Sequence, residues 1–186
     1  MIDHRWRRVL ITGAAGRIGS TLRAGLIGRH DGFRLLDRKP VVDPRGDEEV
    51  IVADLADTKA LAKAVDGVDA MIHLAGAPDP KDFETMFRIN ARGMYDVFEA
   101  ARKAGVKRIV FASTNHTYGM YPVEHGMTET DPVRPDSFYG VTKVFAEAML
   151  RYYFDKHGIE SVSVRIGSFE KRPSQQRHLK IGRAHV

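Results

Sequence analysis

Gly13, Gly16 and Gly19 stand three residues apart, directly behind the apolar run "RVLITG" (8–13) and within "GRIGSTLRAGLIG" (16–28), which has the spacing of an amphipathic helix. A buried strand that turns through glycines straight into a helix is the opening of a βαβ unit, and few folds accommodate one. Gly13 permits the tight turn, Gly16 lets backbone approach a pyrophosphate, and Gly19 allows close helix–sheet packing. The start of that helix offers free N–H groups and the positive end of its dipole, which suits the pyrophosphate of a dinucleotide.

The rest of the chain repeats the alternation. Strands are expected at 33–37, 49–55, 68–76, 107–114 and 160–167, and helices at 58–67, 82–105 and 137–158. Ser137 is the expected N-cap of the last helix. Glycines 67, 105 and 158 close the three helices, as helix C-termini favour. Such a pattern predicts an α/β fold: a doubly wound parallel sheet of the Rossmann type, about six strands, with helices on both faces. The proline-rich piece 121–136 is expected to be a loop at the carboxyl edge of the sheet, where folds of this kind bind ligands.

Composition removes other classes. The 186 residues are 43% hydrophobic and 28% charged, values typical of a globular domain, and no apolar run has the length of a membrane span. The start "MIDHRWRRVLITG" lacks the apolar core and small-residue cleavage site of a secretory leader, so none is expected. With zero cysteines there is no disulfide, no cysteine-held metal and no thiol chemistry, which fits a cytoplasmic protein, and no metal site is expected. The net charge of +5 is concentrated in residues 170–186, where five cations face one anion, leaving the body near neutral. No basic stripe with interleaved aromatics marks a nucleic-acid partner.

Candidate site residues fall at strand ends. Asp37 closes the second strand, 18 residues after Gly19, where a carboxylate accepts hydrogen bonds from the adenosine ribose hydroxyls and repels a 2′-phosphate. That favours NAD over NADP, although Arg38 and Lys39 soften the preference; the plainer reading of Asp37 is a turn residue. Asp54, in "ADL" after the third strand, suits the adenine amino group or, alternatively, caps the next turn. The small residues of "LAG" (74–76) allow close cofactor passage. Strand five ends with the hydroxyls of Ser113 and Thr114. Tyr139 and Lys143, four residues apart, share one helix face near the same edge. A tyrosine titrates near about 10, and acting as a base at neutral pH requires roughly 4 kcal/mol of preferential phenolate stabilisation. An ammonium and a positively charged nicotinamide ring supply it, while the Thr114 hydroxyl holds a substrate oxygen in line.

With the G-x-x-G-x-x-G loop, Asp37, Asp54, "LAG" and Y-x-x-x-K in place, the sequence resembles the extended short-chain dehydrogenase/reductase superfamily, that of the NAD-dependent epimerases and dehydratases. Within it the stretches "RIVFASTNHTYGMYP", "RPDSFYGVTKVFAE" and "YYFDKHG…VRIGS" look most like uronate dehydrogenases. The resemblance runs from about residue 8 to residue 179. It implies hydride transfer from C1 of an aldohexuronate, glucuronate or galacturonate, to NAD, giving an aldarolactone. It also implies that Thr114, Tyr139 and Lys143 are catalytic and that Arg17, Ile18, Leu55, Leu74, Ala75, Gly76 and Ile166 line the cofactor. Asn90 would hold a structural water or the lysine beside the cofactor. Asn115, His116, Ser168 and Arg177 would contact the sugar acid, with Arg177 clamping its carboxylate. His116 as a loop cap and Arg177 as a solvated tail residue are the plainer alternatives. Pro78 departs from the hydroxyl residue usual at its position.

The expected organisation is a nucleotide-binding domain over 1–169, the start of a substrate-binding segment over 170–179, and a non-native tail over 180–186. The final "IGRAHV" matches the translation of a sequencing-library adapter, and an authentic short basic tail is the plainer alternative. A chain cut there would hold NAD weakly and turn over poorly. Two other functions suit the same motifs: a nucleotide-sugar epimerase or dehydratase, and a non-catalytic NAD sensor. A small sugar acid is the expected partner, with a homo-oligomer formed through the two long helices.

Overall fold

The computed structural model describes residues 6–77, 82–128 and 130–169. Six strands, β1 (Arg8–Thr12), β2 (Gly32–Asp37), β3 (Glu48–Val52), β4 (Ala70–His73), β5 (Arg108–Thr114) and β6 (Glu160–Ile166), form one parallel sheet. Their order is β3-β2-β1-β4-β5-β6. The sheet therefore reverses direction of winding between β1 and β4, the switch point at which such folds open a crevice beyond the strand ends. Register places Thr12 beside His73, so Gly13 and Leu74 emerge side by side at that crevice.

The helices are α1 (Arg17–Gly25), α2 (Thr58–Val65), α3 (Phe83–Met86), α4 (Gly93–Ala104) and α5 (Phe138–His157). Two apolar clusters flank the sheet. The larger gathers Leu10, Met71, Ile109 and Phe111 with Leu61, Met94, Phe98 and Leu150 from α2, α4 and α5. The smaller gathers Val9, Ile11, Phe33 and Leu35. Strands buried on both faces explain why these runs read as continuously apolar instead of alternating.

The helix expected over 82–105 is three segments in line. A wide π-type turn, Phe87–Arg92, joins α3 to α4. Such turns are rare and sit mostly at functional sites. Two expected strands are also shorter than their apolar runs: β3 stops at Val52 and β4 at His73. In both, the remaining residues leave the ladder to line the crevice. Among the described residues no helix is long and apolar enough to cross a membrane. The segments 170–179 and 180–186, and with them Arg177, lie outside the described residues, as does Pro78.

Candidate active site

The crevice is built on the first glycine loop. Gly13 has φ +72°, and a Cβ there would lie 2.8 Å from the Ala75 nitrogen, so both backbone and space demand glycine. A Cβ on Gly19 would lie 2.5 Å from the Gly13 carbonyl oxygen and 2.7 Å from the Ala14 Cα. The third glycine thus serves the contact of helix with loop more than of helix with sheet. Gly16 is the N-cap of α1 at φ −73°, a conformation open to any residue, and a Cβ there would lie 3.1 Å from the Gly13 carbonyl oxygen, a contact that a small shift relieves. Asp57, Asp82 and Ser137 cap α2, α3 and α5 through their side chains, whereas α1 begins with no side-chain cap. Its first turn, Arg17, Ile18 and Gly19, lines the cleft. A helix start without a side-chain cap, beside a loop of glycines and alanines, fits a bound pyrophosphate. Gly13→Ala is expected to destabilise the fold by about 1–3 kcal/mol. Gly16→Ala is expected to leave the melting temperature nearly unchanged while weakening NAD binding at least tenfold, as thermal unfolding and NAD titration will read.

Two cavities meet over this loop and share Gly13, Gly16, Leu74 and Gly76. The first, about 320 Å³, is lined by Asp37, Arg38, Asp54, Leu55 and Ala75 among others. Asp37 carries both roles considered for it. Its Oδ2 accepts from the Ala15 N–H at 2.9 Å and its Oδ1 from the Lys39 N–H at 2.9 Å, yet the carboxylate borders the cavity. Each oxygen keeps acceptor capacity for a ribose hydroxyl. Asp54 likewise accepts from the Ala56 N–H at 2.9 Å while lining the cavity.

The second cavity, about 400 Å³, is bordered by Thr114, Asn115, His116, Tyr139, Lys143 and Ile166. The two strand-end hydroxyls separate here. Ser113 donates to Glu147, which is paired with Arg165 at 2.6 Å, so its hydroxyl is committed to α5 and β6. Thr114 caps the short turn Asn115–Thr117, accepting from the His116 N–H at 3.2 Å, and both residues border the cavity. Adjacent strand residues point to opposite faces, which explains the split.

Tyr139 and Lys143 occupy the first turns of α5, which begins at the Ser137 cap (Gly140 N–H to Ser137 Oγ, 3.2 Å). Lys143 is 3% exposed. Its Nζ donates to the Ala112 carbonyl at 2.8 Å and lies 4.6 Å from the Phe111 ring centre and 5.6 Å from that of Tyr139. Burial pushes the amine down to about 8, with the Glu147 carboxylate one turn away opposing that shift. Burial also raises the Tyr139 hydroxyl above its ordinary value, the opposite sense to that required of a base. Its half-apolar surroundings penalise the phenolate. The remaining stabilisation has to arrive with a positively charged ligand.

Of the expected cofactor contacts, Asn90 is placed differently. It is fully buried and borders neither cavity. Its Oδ1 accepts from the Ala77 N–H at 2.8 Å and its Nδ2 donates to the Ala77 carbonyl at 2.9 Å. It holds main chain beside Gly76, where a Cβ would lie 3.4 Å from its Oδ1 and 3.6 Å from Lys143 Nζ, and the π-type turn aims it there. Ser168 is exposed, and the cleft is bordered by its neighbours Gly167 and Phe169 instead. Sequence reasoning passed over His73, which is buried, with burial driving its imidazole down to about 3. Its Nδ1 meets Thr12 Oγ1 at 2.7 Å, and that oxygen accepts from the Ala75 N–H at 3.3 Å, tying "LAG" to β1. A histidine within an apolar strand run was the available signal. His116 is tied across the following loop, its carbonyl accepting from the Asp136 N–H at 3.3 Å. Its ring bonds Asp136 and lies edge-on to Tyr139 with ring centres 6.0 Å apart.

Comparison with known proteins agrees with this geometry. The profile of the NAD dependent epimerase/dehydratase family matches residues 9–178. The chain is 46% identical over 175 residues to the uronate dehydrogenase of Pseudomonas putida, a match covering 94% of this chain and 65% of that protein. A mutant uronate dehydrogenase from Agrobacterium tumefaciens complexed with NAD superposes with a TM-score of 0.85 at 44% identity, over 92% of this chain and 64% of that one. The glucuronic acid dehydrogenase of Chromohalobacter salexigens superposes with a TM-score of 0.87 at 39% identity, over 92% and 65%. The chain thus spans about two thirds of the length of these relatives. Matched along nearly all of its length, the chain belongs to the NAD dependent epimerase/dehydratase family.

Proposed function

We propose that the protein to which this chain belongs is an NAD-dependent uronate dehydrogenase, oxidising an aldohexuronate at C1 to the aldarolactone. One observation carries the reading: Thr114, Tyr139 and Lys143 border a cavity that shares Gly13, Gly16, Leu74 and Gly76 with one lined by Asp37 and Asp54. The names of the relatives support the substrate class.

NAD, when bound, supplies the oxidising ring that takes the C1 hydride and a positive charge that adds to that of Lys143. The loop Gly13–Gly19 and the start of α1 would hold its pyrophosphate, Asp37 its adenosine ribose, and Leu74 to Gly76 its passage over the sheet. Tyr139 takes the proton of the anomeric hydroxyl, so that the C1–O bond becomes a carbonyl as the hydride departs. Lys143, an ammonium below about pH 8, places positive charge beside Tyr139 and so favours the phenolate that accepts this proton. Thr114 holds the reacting oxygen. Asn115 and His116 meet ring hydroxyls, and Ser168 and Arg177 belong to the same proposal for the carboxylate end.

The reading includes a homo-oligomer built through α4 and α5, where Tyr95, Val141, Phe145 and Tyr152 present exposed apolar surface. Absorbance of NADH, with glucuronate, galacturonate and neutral hexoses offered to the full-length protein, tests the function. Stoichiometric NADH from a uronate is the expected result; sugar turnover without net NADH identifies an epimerase instead.

A further inference from the structure

A carboxylate that the reaction above does not use sits behind the cleft. Asp136, the residue before the α5 cap, places both oxygens on His116 Nδ1, at 2.9 and 3.0 Å. The backbone repeats the link, the Asp136 N–H donating to the His116 carbonyl at 3.3 Å. Ser137 Oγ also donates to Asp136 Oδ1 at 3.0 Å, so the carboxylate is held from two sides. Two glycines exist to fit this arrangement. A Cβ on Gly119 would fall 1.9 Å from Asp136 Oδ2, inside the carboxylate itself. A Cβ on Gly140 would fall 2.5 Å from the His116 carbonyl oxygen. Neither has positive φ, so contact and not conformation calls for glycine at both. His116 Nε2 has no hydrogen-bond partner among the described residues, and the ring borders the catalytic cavity edge-on to Tyr139.

A carboxylate accepts only, so the Nδ1 facing it carries a proton, and the neutral ring is then left with its lone pair on Nε2. An imidazole free in solution is a mixture of both tautomers. We propose that Asp136 is a positioning residue that fixes His116 in the Nδ1–H form, so that Nε2 faces the cleft as an acceptor for a hydroxyl of the sugar acid. This deepens the uronate reading and rests on it for the identity of the ligand. A dedicated acceptor beside the tyrosine selects a hydroxyl donor at one ring position and disfavours a ligand that offers only an acceptor there.

The test starts from the chain as it stands, labelled with 15N histidine, at a pH where His116 is neutral. Its Nδ1 is expected to give a protonated, pyrrole-type resonance and its Nε2 a pyridine-type one. Asp136→Ala is expected to move both toward the averaged values of a free imidazole, and Asp136→Asn, which keeps an acceptor oxygen, to restore the wild-type pattern. Ser137→Ala controls for loss of the helix cap and is expected to leave the tautomer unchanged. A protonated Nε2 in the wild-type chain overturns the proposal without need of any variant, as does an Asp136→Ala spectrum identical to the wild type. In the full-length protein with NAD, Asp136→Ala is expected to raise KM for the uronate about tenfold with kcat changed less than threefold. An unchanged KM, with NADH still forming, overturns the substrate contact while leaving the dehydrogenase reading intact. Absence of NADH from the wild-type protein counts against that reading and leaves the tautomer result standing.

Discussion

Tyr139→Phe is expected to lower uronate turnover by about 10²–10⁴-fold, the range of a positioned acid–base group, while NAD still binds. The structure makes the substitution a clean one. The Tyr139 hydroxyl has no hydrogen-bond partner among the described residues, and its ring contact with His116 survives in phenylalanine. Removing the oxygen therefore leaves the fold intact and deletes one function. Burial holds the unliganded phenol above its ordinary value, so the wild-type protein without NAD should show no phenolate absorbance at neutral pH. Ultraviolet difference spectra on adding NAD are expected to show phenolate appearing at lower pH in the wild type and to be silent in Tyr139→Phe. A variant that keeps wild-type turnover would remove tyrosine from the chemistry.

Lys143→Met is expected to do the reverse to stability of what it does to activity. Burying an ammonium that titrates at about 8 instead of its ordinary 10.5 disfavours the folded state by roughly 3 kcal/mol at neutral pH. Methionine fills the same volume without charge. Loss of the bond to the Ala112 carbonyl offsets about 1 kcal/mol. The net gain is about 2 kcal/mol, visible as a higher urea midpoint, with turnover reduced by about two orders of magnitude. The pH dependence follows from the direction of the shift. The folded value lies below the unfolded one, so the penalty is fully present below about pH 8 and is relieved as pH rises from about 8 to 10.5. Over that window the unfolded chain binds more protons, and wild-type stability gains relative to the variant. Unfolding curves for the two proteins that stay parallel from pH 7 to 10 would show that this lysine is not buried as an ammonium. A residue whose removal stabilises the fold yet silences it is kept for its chemistry.

The parts of this fold legible in the sequence are those encoded locally. Strands buried on both faces give unbroken apolar runs, and three glycines in seven residues mark the loop whatever surrounds it. The long helix expected at 82–105 shows the limit, since it is helical over 83–104 but contains a turn that the sequence does not signal. Nothing in "DFETMFRINARGMYD" distinguishes a π-type turn from regular helix, because the extra residue is held by Asn90 reaching across to Ala77, thirteen positions back. Ser113 and Thr114 were separable only once the face of β5 toward α5 was known, since alternation says that they differ but not which is which. Asp136 and His116 stand twenty residues apart across an irregular loop, a pairing no periodicity reports. Lys143 was legible in position but not in environment: burial that lowers the lysine and raises the tyrosine depends on how tightly α5 closes over Phe111.

The wide turn between Phe87 and Arg92 also constrains how this protein can be altered. Each helical residue rotates the chain by about 100° about the axis. Deleting one residue there to regularise the helix would swing α3 and everything before it around by that angle. Asn90 would then lose the Ala77 main chain, and the wall of the crevice that follows β4 would lose its anchor. Straightening that helix, an obvious step toward a sturdier scaffold, would dismantle the ligand cleft first.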